Sequence, residues 1–178
     1  MRKVVLTFGL IAGAILSAMM LIALGFQDQI GFDRGAIVGY TSMVLAFLMV
    51  YFGVRSYRDN VAGGSVTFGR AFKVGFLIMG LASICYVATW EFIYYRLSPD
   101  FSDKYAAYEV QKAKSSGASE ARVAEIQKQM AQFKEMYKNP LVNIAFTLLE
   151  PLPVGLLFTL VTAGVLSRRR RQGEPAIA

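Results

Sequence analysis

Four stretches of the chain are almost uninterruptedly apolar: Val4 to Phe26, Ala36 to Val54, Ala71 to Tyr95 and Leu141 to Leu166. A helix needs about 20 apolar residues to cross the hydrocarbon layer of a bilayer, and each stretch is long enough. Between the third and fourth the pattern changes. Val123, Ile126, Met130, Phe133 and Tyr137 recur at alternating spacings of three and four, which aligns them on one face of an amphipathic helix. Ser119 is its predicted N-cap, with Glu120 in the first turn. The "SSGA" at Ser115 to Ala118 predicts a turn after an earlier, shorter helix carrying Phe101, Tyr105 and Tyr108. Residues 97–139 thus read as a helical hairpin inserted into a single membrane domain over residues 1–178. Asn139 is placed to cap the fourth span, with Pro140 at the first helical position, where a missing N–H costs nothing. The predicted fold class is all-α: an integral membrane four-helix bundle with an extracytoplasmic amphipathic helical hairpin between spans three and four.

Composition agrees with a lipid solvent: 55% hydrophobic residues, 17% charged residues and a mean hydropathy of +0.44 are out of line for a water-soluble domain. The first apolar stretch follows Arg2 and Lys3 as a signal peptide would, but it outruns an h-region and lacks a small-residue cleavage site, so it reads as an uncleaved span. A net charge of +7 could suggest nucleic acid. The bases, however, sit mostly at the ends of apolar runs, where they act as topology signals and lipid contacts and predict no nucleic-acid partner. Arg2 and Lys3, then Arg55, Arg58, Arg70 and Lys73, then Arg168, Arg169, Arg170 and Arg171 fall on one side of the predicted membrane. The other side carries the short "QDQIGFDRG" loop, where Asp28 and Asp33 outnumber Arg34, and the nearly charge-balanced hairpin. Both termini are therefore expected in the cytoplasm.

The residue inventory narrows the chemistry. There is no histidine, which removes imidazole metal sites, Ser-His and Cys-His nucleophile pairs and His-ligated haem. Cys85 is alone, so no intrachain disulfide exists. The segment "RSYRDNVAGGSVTFGRAFKVG" matches neither common phosphate-binding loop and follows no predicted strand. It reads as a turn: Gly63 and Gly64 break the chain, Ser65 or Thr67 caps the third span, and Arg55, Arg58, Arg70 and Lys73 reach lipid headgroups. No catalytic residue, cofactor or metal site is predicted, and the chain is not expected to be an enzyme.

The same segment carries a resemblance. "YRD" at Tyr57 to Asp59, "GG" at Gly63 and Gly64, "FGRAFKVG" at Phe68 to Gly75 and "SPDF" at Ser98 to Phe101 resemble the bacterial membrane-protein family catalogued as domain of unknown function 4199, over nearly the whole chain. The resemblance implies a four-span, multi-pass protein of the bacterial inner membrane and transfers no activity, substrate or site residue.

Three features could carry function. Glu150 lies about ten residues, or roughly 15 Å, into the fourth span, directly before Pro151 and Pro153, which remove backbone donors and bend or break the helix. An acid beside an interrupted helix is a pattern shared with transport sites, and such an acid can bind or relay a proton; equally, it can serve as a structural hydrogen-bonding group. Glu91 is near enough to the outer interface to reach water or Arg96, or to serve as an outer proton relay for Glu150, and Trp90, Tyr94 and Tyr95 fit an interfacial aromatic belt. Gly9 and Gly13, extended by Ser17, and Ala71 with Gly75 are small-residue faces suited to close helix packing, within the chain or in a homo-oligomer. The stripe of Val123, Ile126, Met130, Phe133 and Tyr137 suits a helical membrane-protein partner, the opposing hairpin helix or the lipid surface. The sequence favours a non-catalytic structural or partner-binding membrane component, with a small proton-coupled transporter or channel subunit using Glu150 as the alternative.

Overall fold

The computed structural model describes residues 1–167, so Arg168, Arg169, Arg170 and Arg171 lie outside the described residues. Among the described residues seven helices follow one another: α1 (Arg2–Gly25), α2 (Gln27–Asn60), α3 (Phe68–Phe92), α4 (Phe101–Ser115), α5 (Glu120–Tyr137), α6 (Pro140–Leu149) and α7 (Pro151–Leu166), with a wider π turn at Ile93–Leu97 after α3. The protein is all-α, and four helical segments are long and apolar enough to cross a membrane: Arg2–Gly25, Gln29–Asn60, Phe68–Leu97 and Pro140–Leu166.

α1 packs on α2 and α3, and α7 packs on the other side of the same two helices. Their common core contains Leu16, Phe47, Val50, Val54, Val74, Ile78 and Met79, all but excluded from the surface. The outward faces are as apolar as the core, with Leu10, Ile22, Ile37, Ile84, Leu157 and Val161 exposed. A water-soluble domain does not present such a surface. Where lipid is as apolar as the interior, burial supplies little drive for helix association, and close van der Waals contact must supply it.

The small residues provide that contact. A Cβ on Gly9 would lie 2.8 Å from a Leu81 methyl, and one on Gly13 would lie 2.7 Å from Cys85 Cβ. One turn further on, Ser17 Oγ and Thr89 Oγ1 share a hydrogen bond of 2.7 Å. Gly9, Gly13 and Ser17 thus form one face of α1 laid along Leu81, Cys85 and Thr89 of α3. Gly75 meets Thr159 of α7 and Val50 of α2, and Ala71 is fully buried beside them. Both small-residue faces are filled by the chain itself.

Helix boundaries follow local chemistry. The Ser119 side chain accepts from Arg122 N–H and the Asn139 side chain from Leu141 N–H, each occupying an otherwise unpaired donor of a first turn. Thr67 occupies the cap position of α3 without a side-chain cap bond. Gly63 and Gly64 both have positive φ, 69° and 88°, and turn the chain between α2 and α3.

The stretch expected as the loop "QDQIGFDRG" is instead largely helical. The chain leaves helical geometry at Phe26 and again at Gly31 (φ 72°, ψ 171°), and between and after these points it is α2. The polar residues that suggested a loop lie at the bundle's end, where Phe32 finds a packing surface on α4: its ring is 5.8 Å from Phe101, 5.5 Å from Tyr105 and 4.9 Å from Tyr108. Tertiary contact overrides a weak local preference there.

Candidate functional site

α4 and α5 pack against each other around Tyr105 and Phe133, whose rings are 6.0 Å apart, and Lys134 pairs with Asp103 across them. Lys112 of α4 reaches Asp33 of α2 at 2.6 Å, so the pair is clasped to the bundle by aromatic contact and by charge. The Asp33 carboxylate beside Lys112 holds its ammonium above the ordinary lysine range.

Beneath this pair lies a cavity of about 590 Å³. Leu16, Met19, Met20 and Ala23 of α1 form one wall, and Gly35, Val38, Gly39, Tyr40 and Ser42 of α2 form the next. Tyr86 and Trp90 of α3 and Phe146, Thr147, Leu149 and Glu150 of the last span form the others, while α4 and α5 contribute Phe101, Tyr105, Phe133 and Tyr137. The cavity exists because the last span changes partners at its prolines. α7 packs on α2 and α3, whereas α6 packs chiefly on α3 and α5. Pro151 and Pro153 lack the N–H groups that would bond the carbonyls of Thr147 and Leu149, which loosens the helix at this point.

Glu150 stands at that junction with an open side chain. The Tyr86 hydroxyl donates to its Oε2 at 2.6 Å. One oxygen is thereby fixed, and the remaining acceptor positions of the carboxyl are left to the cavity. The helix does not stop at Glu150, whose φ and ψ of −65° and −53° are helical.

A second polar group supports one wall. Asn143 is fully buried, and its Oδ1 accepts from Trp90 Nε1 at 3.0 Å and from Thr147 Oγ1 at 3.2 Å. Trp90 Nε1 also reaches the Tyr137 hydroxyl at 3.2 Å. These bonds fix the indole against the cavity rather than toward lipid. Tyr94 is likewise buried, its hydroxyl 3.0 Å from Ser102 Oγ. Of the expected aromatic belt, Tyr95 alone is exposed.

The structure brings Glu150, Pro151 and Tyr137 to one region, and it puts Pro153 just beyond, inside α7. Glu91 is not among the cavity's lining residues; its Oε1 is buried without a hydrogen-bond partner, and no ion pair joins it to Arg96 among the described residues. In the α5 stripe, Val123, Ile126, Met130 and Phe133 are half-covered and Tyr137 is buried. Phe133 and Tyr137 face the cavity, while Met130 lines a shallow surface groove between α4 and α5 with Val110, Gln127 and Ala131. Arg55 and Arg58 both pair with Asp59, at 3.7 Å and 2.7 Å, and Arg70 and Lys73 are exposed. The sequence reading missed Tyr40, Tyr86, Asn143 and Thr147. Tyr86, Asn143 and Thr147 are each isolated polar residues in apolar runs and Tyr40 opens the short polar triplet Tyr40 to Ser42, and no local pattern marks which of them will converge.

A family model described as "Protein of unknown function (DUF4199)" matches residues 7–168. Neither the curated proteins nor the solved structures offer a match to the chain.

Proposed function

Since the chain belongs to the DUF4199 family, a family of unknown function, we propose that it is a non-catalytic, multi-pass membrane component that holds a small amphipathic molecule in the cavity beneath α4 and α5, with Glu150 as the polar anchor. The observation that carries this reading is the cavity itself. It has the size and make-up of a ligand site: about 590 Å³, mostly apolar, with few convergent polar groups. The bases flanking the spans support an inner-membrane topology with both termini in the cytoplasm and α4 and α5 outside. Arg55, Arg58, Arg70, Lys73 and the arginine tail would then lie at the cytoplasmic headgroups.

The test uses Trp90, the single tryptophan of the chain, which lines the cavity. A brominated amphiphile that enters should quench its emission saturably. Gly39 also lines the cavity, and a Cβ added there meets nothing within 4 Å. Gly39→Leu should therefore fill the space and abolish the saturable quenching; quenching that persists unchanged in the variant overturns the reading.

A second reading makes the protein a proton-coupled transporter or channel subunit. The Tyr86 hydroxyl on Glu150, at a helix loosened by two prolines, favours it as a proton-exchanging pair. Proton flux unchanged in Glu150→Gln would reject that role.

A further inference from the structure

The ligand class can be read from the cavity's charge, on the premise that the cavity binds a ligand as proposed above. Among the described residues lining it, Glu150 is the single acid, and no lysine or arginine is present. Tyr40, Tyr86, Trp90, Tyr105, Phe133 and Tyr137 contribute rings to the same lining. Ring faces carry negative quadrupole potential and attract cations within about 6 Å, most strongly where water is scarce. A carboxylate in an apolar surrounding is costly without a counter-charge, and Tyr86 supplies one neutral hydrogen bond rather than a charge. An anionic headgroup would meet Glu150 with no base to compensate it, and the phosphate of a zwitterionic headgroup would meet the same obstacle. Leu16, Met19, Met20 and Ala23 offer a hydrocarbon wall along α1.

We infer that the cavity takes an organic ammonium ion with an apolar body, the ammonium group seated between Glu150 and the aromatic rings and the body lying along α1. Glu150 would supply the counter-ion, and the rings would add attraction without imposing a fixed hydrogen-bond geometry. The preferred source is an amphipathic amine of net positive charge.

Four bromine-bearing amphiphiles of equal chain length test this by Trp90 quenching in the full-length protein, reconstituted in uncharged lipid. Their headgroups are trimethylammonium, a neutral glycol ether, sulfate and the phosphoethanolamine of a lysophospholipid. The expected result is half-saturation by the ammonium probe at about ten-fold lower membrane concentration than the neutral one. Glu150→Gln should erase that difference, bringing the ammonium-to-neutral ratio of half-saturation to about one. Equal half-saturation by ammonium and neutral probes, or preference for sulfate, overturns the cation inference but leaves the cavity reading standing. Absence of any quenching sensitive to Gly39→Leu overturns both. A lysophospholipid that matches the ammonium probe and depends on Glu150 overturns the net-positive source while leaving ammonium recognition standing; one that binds weakly supports the net-positive amine. Should Glu150→Gln fail to fold, the ammonium-to-neutral ratio in the wild-type protein decides.

Discussion

Single residues decide two things here. Gly31 has a backbone conformation (φ 72°, ψ 171°) that is essentially reserved for glycine, and a Cβ there would touch nothing within 4 Å. The cost of Gly31→Ala is therefore purely conformational, about 1–3 kcal/mol of stability, to be read as a lowered unfolding midpoint in mild detergent. Tyr86 makes the complementary case, since its hydroxyl is the hydrogen-bond donor that fixes Glu150. Tyr86→Phe keeps the ring and removes the donor. It should weaken retention of a cavity ligand several-fold without unfolding the bundle, because the freed carboxyl oxygen still faces the open cavity. Binding and thermal unfolding measured on the same preparation separate these effects.

At the scale of elements, α1 and α3 are held by contact rather than by burial. Gly13→Leu must displace Cys85, whose Cβ lies 2.7 Å from the introduced atom, and overpacking of this kind costs about 1–3 kcal/mol. A drop in thermal stability at Gly13→Leu, with little change at Gly80→Leu, where nothing lies within 4 Å, is the expected contrast. The α4–α5 pair is held to the bundle by Phe32 and by the Lys112–Asp33 clasp. Lys112 binds its proton more tightly in the folded protein, so its contribution is present below the ordinary lysine value, near 10.4, and fades as pH rises through the raised value. The stability difference between wild type and Lys112→Ala should thus be small at neutral pH, because the pair is exposed and screened by salt, and should vanish in strong base.

For the whole molecule, the proposed topology puts the α4–α5 turn and the α2–α3 turn on opposite sides of the membrane. With Cys85 replaced by serine, a cysteine at exposed Ser116 should react with a membrane-impermeant maleimide in intact cells, while one at exposed Val61 should react only after permeabilisation. The reverse result would invert the topology. Within the α5 stripe, Phe133 and Tyr137 line the cavity and Met130 lines the surface groove, which makes Met130 a position at which to test for a partner. A photo-crosslinking side chain at Met130 that captures a distinct membrane protein would establish such a partner; capture of lipid or of α4 would make the groove structural.

The sequence by itself determined the four apolar helices and the helical segment between the last two, because run length, period and capping residues such as Ser119 and Asn139 act over a few positions. It also marked Glu150 and the two prolines as the place where the last span is perturbed. It did not determine what the perturbation creates. The helicity of residues 27–35, the inward turn of Trp90 and the Tyr86–Glu150 bond depend on partners far along the chain. Only the tertiary structure decided that α6 would leave α2 while α7 stayed with it, opening a cavity between them. The reason is physical: spanning a bilayer is a property of a segment, whereas a site is a property of the space between segments.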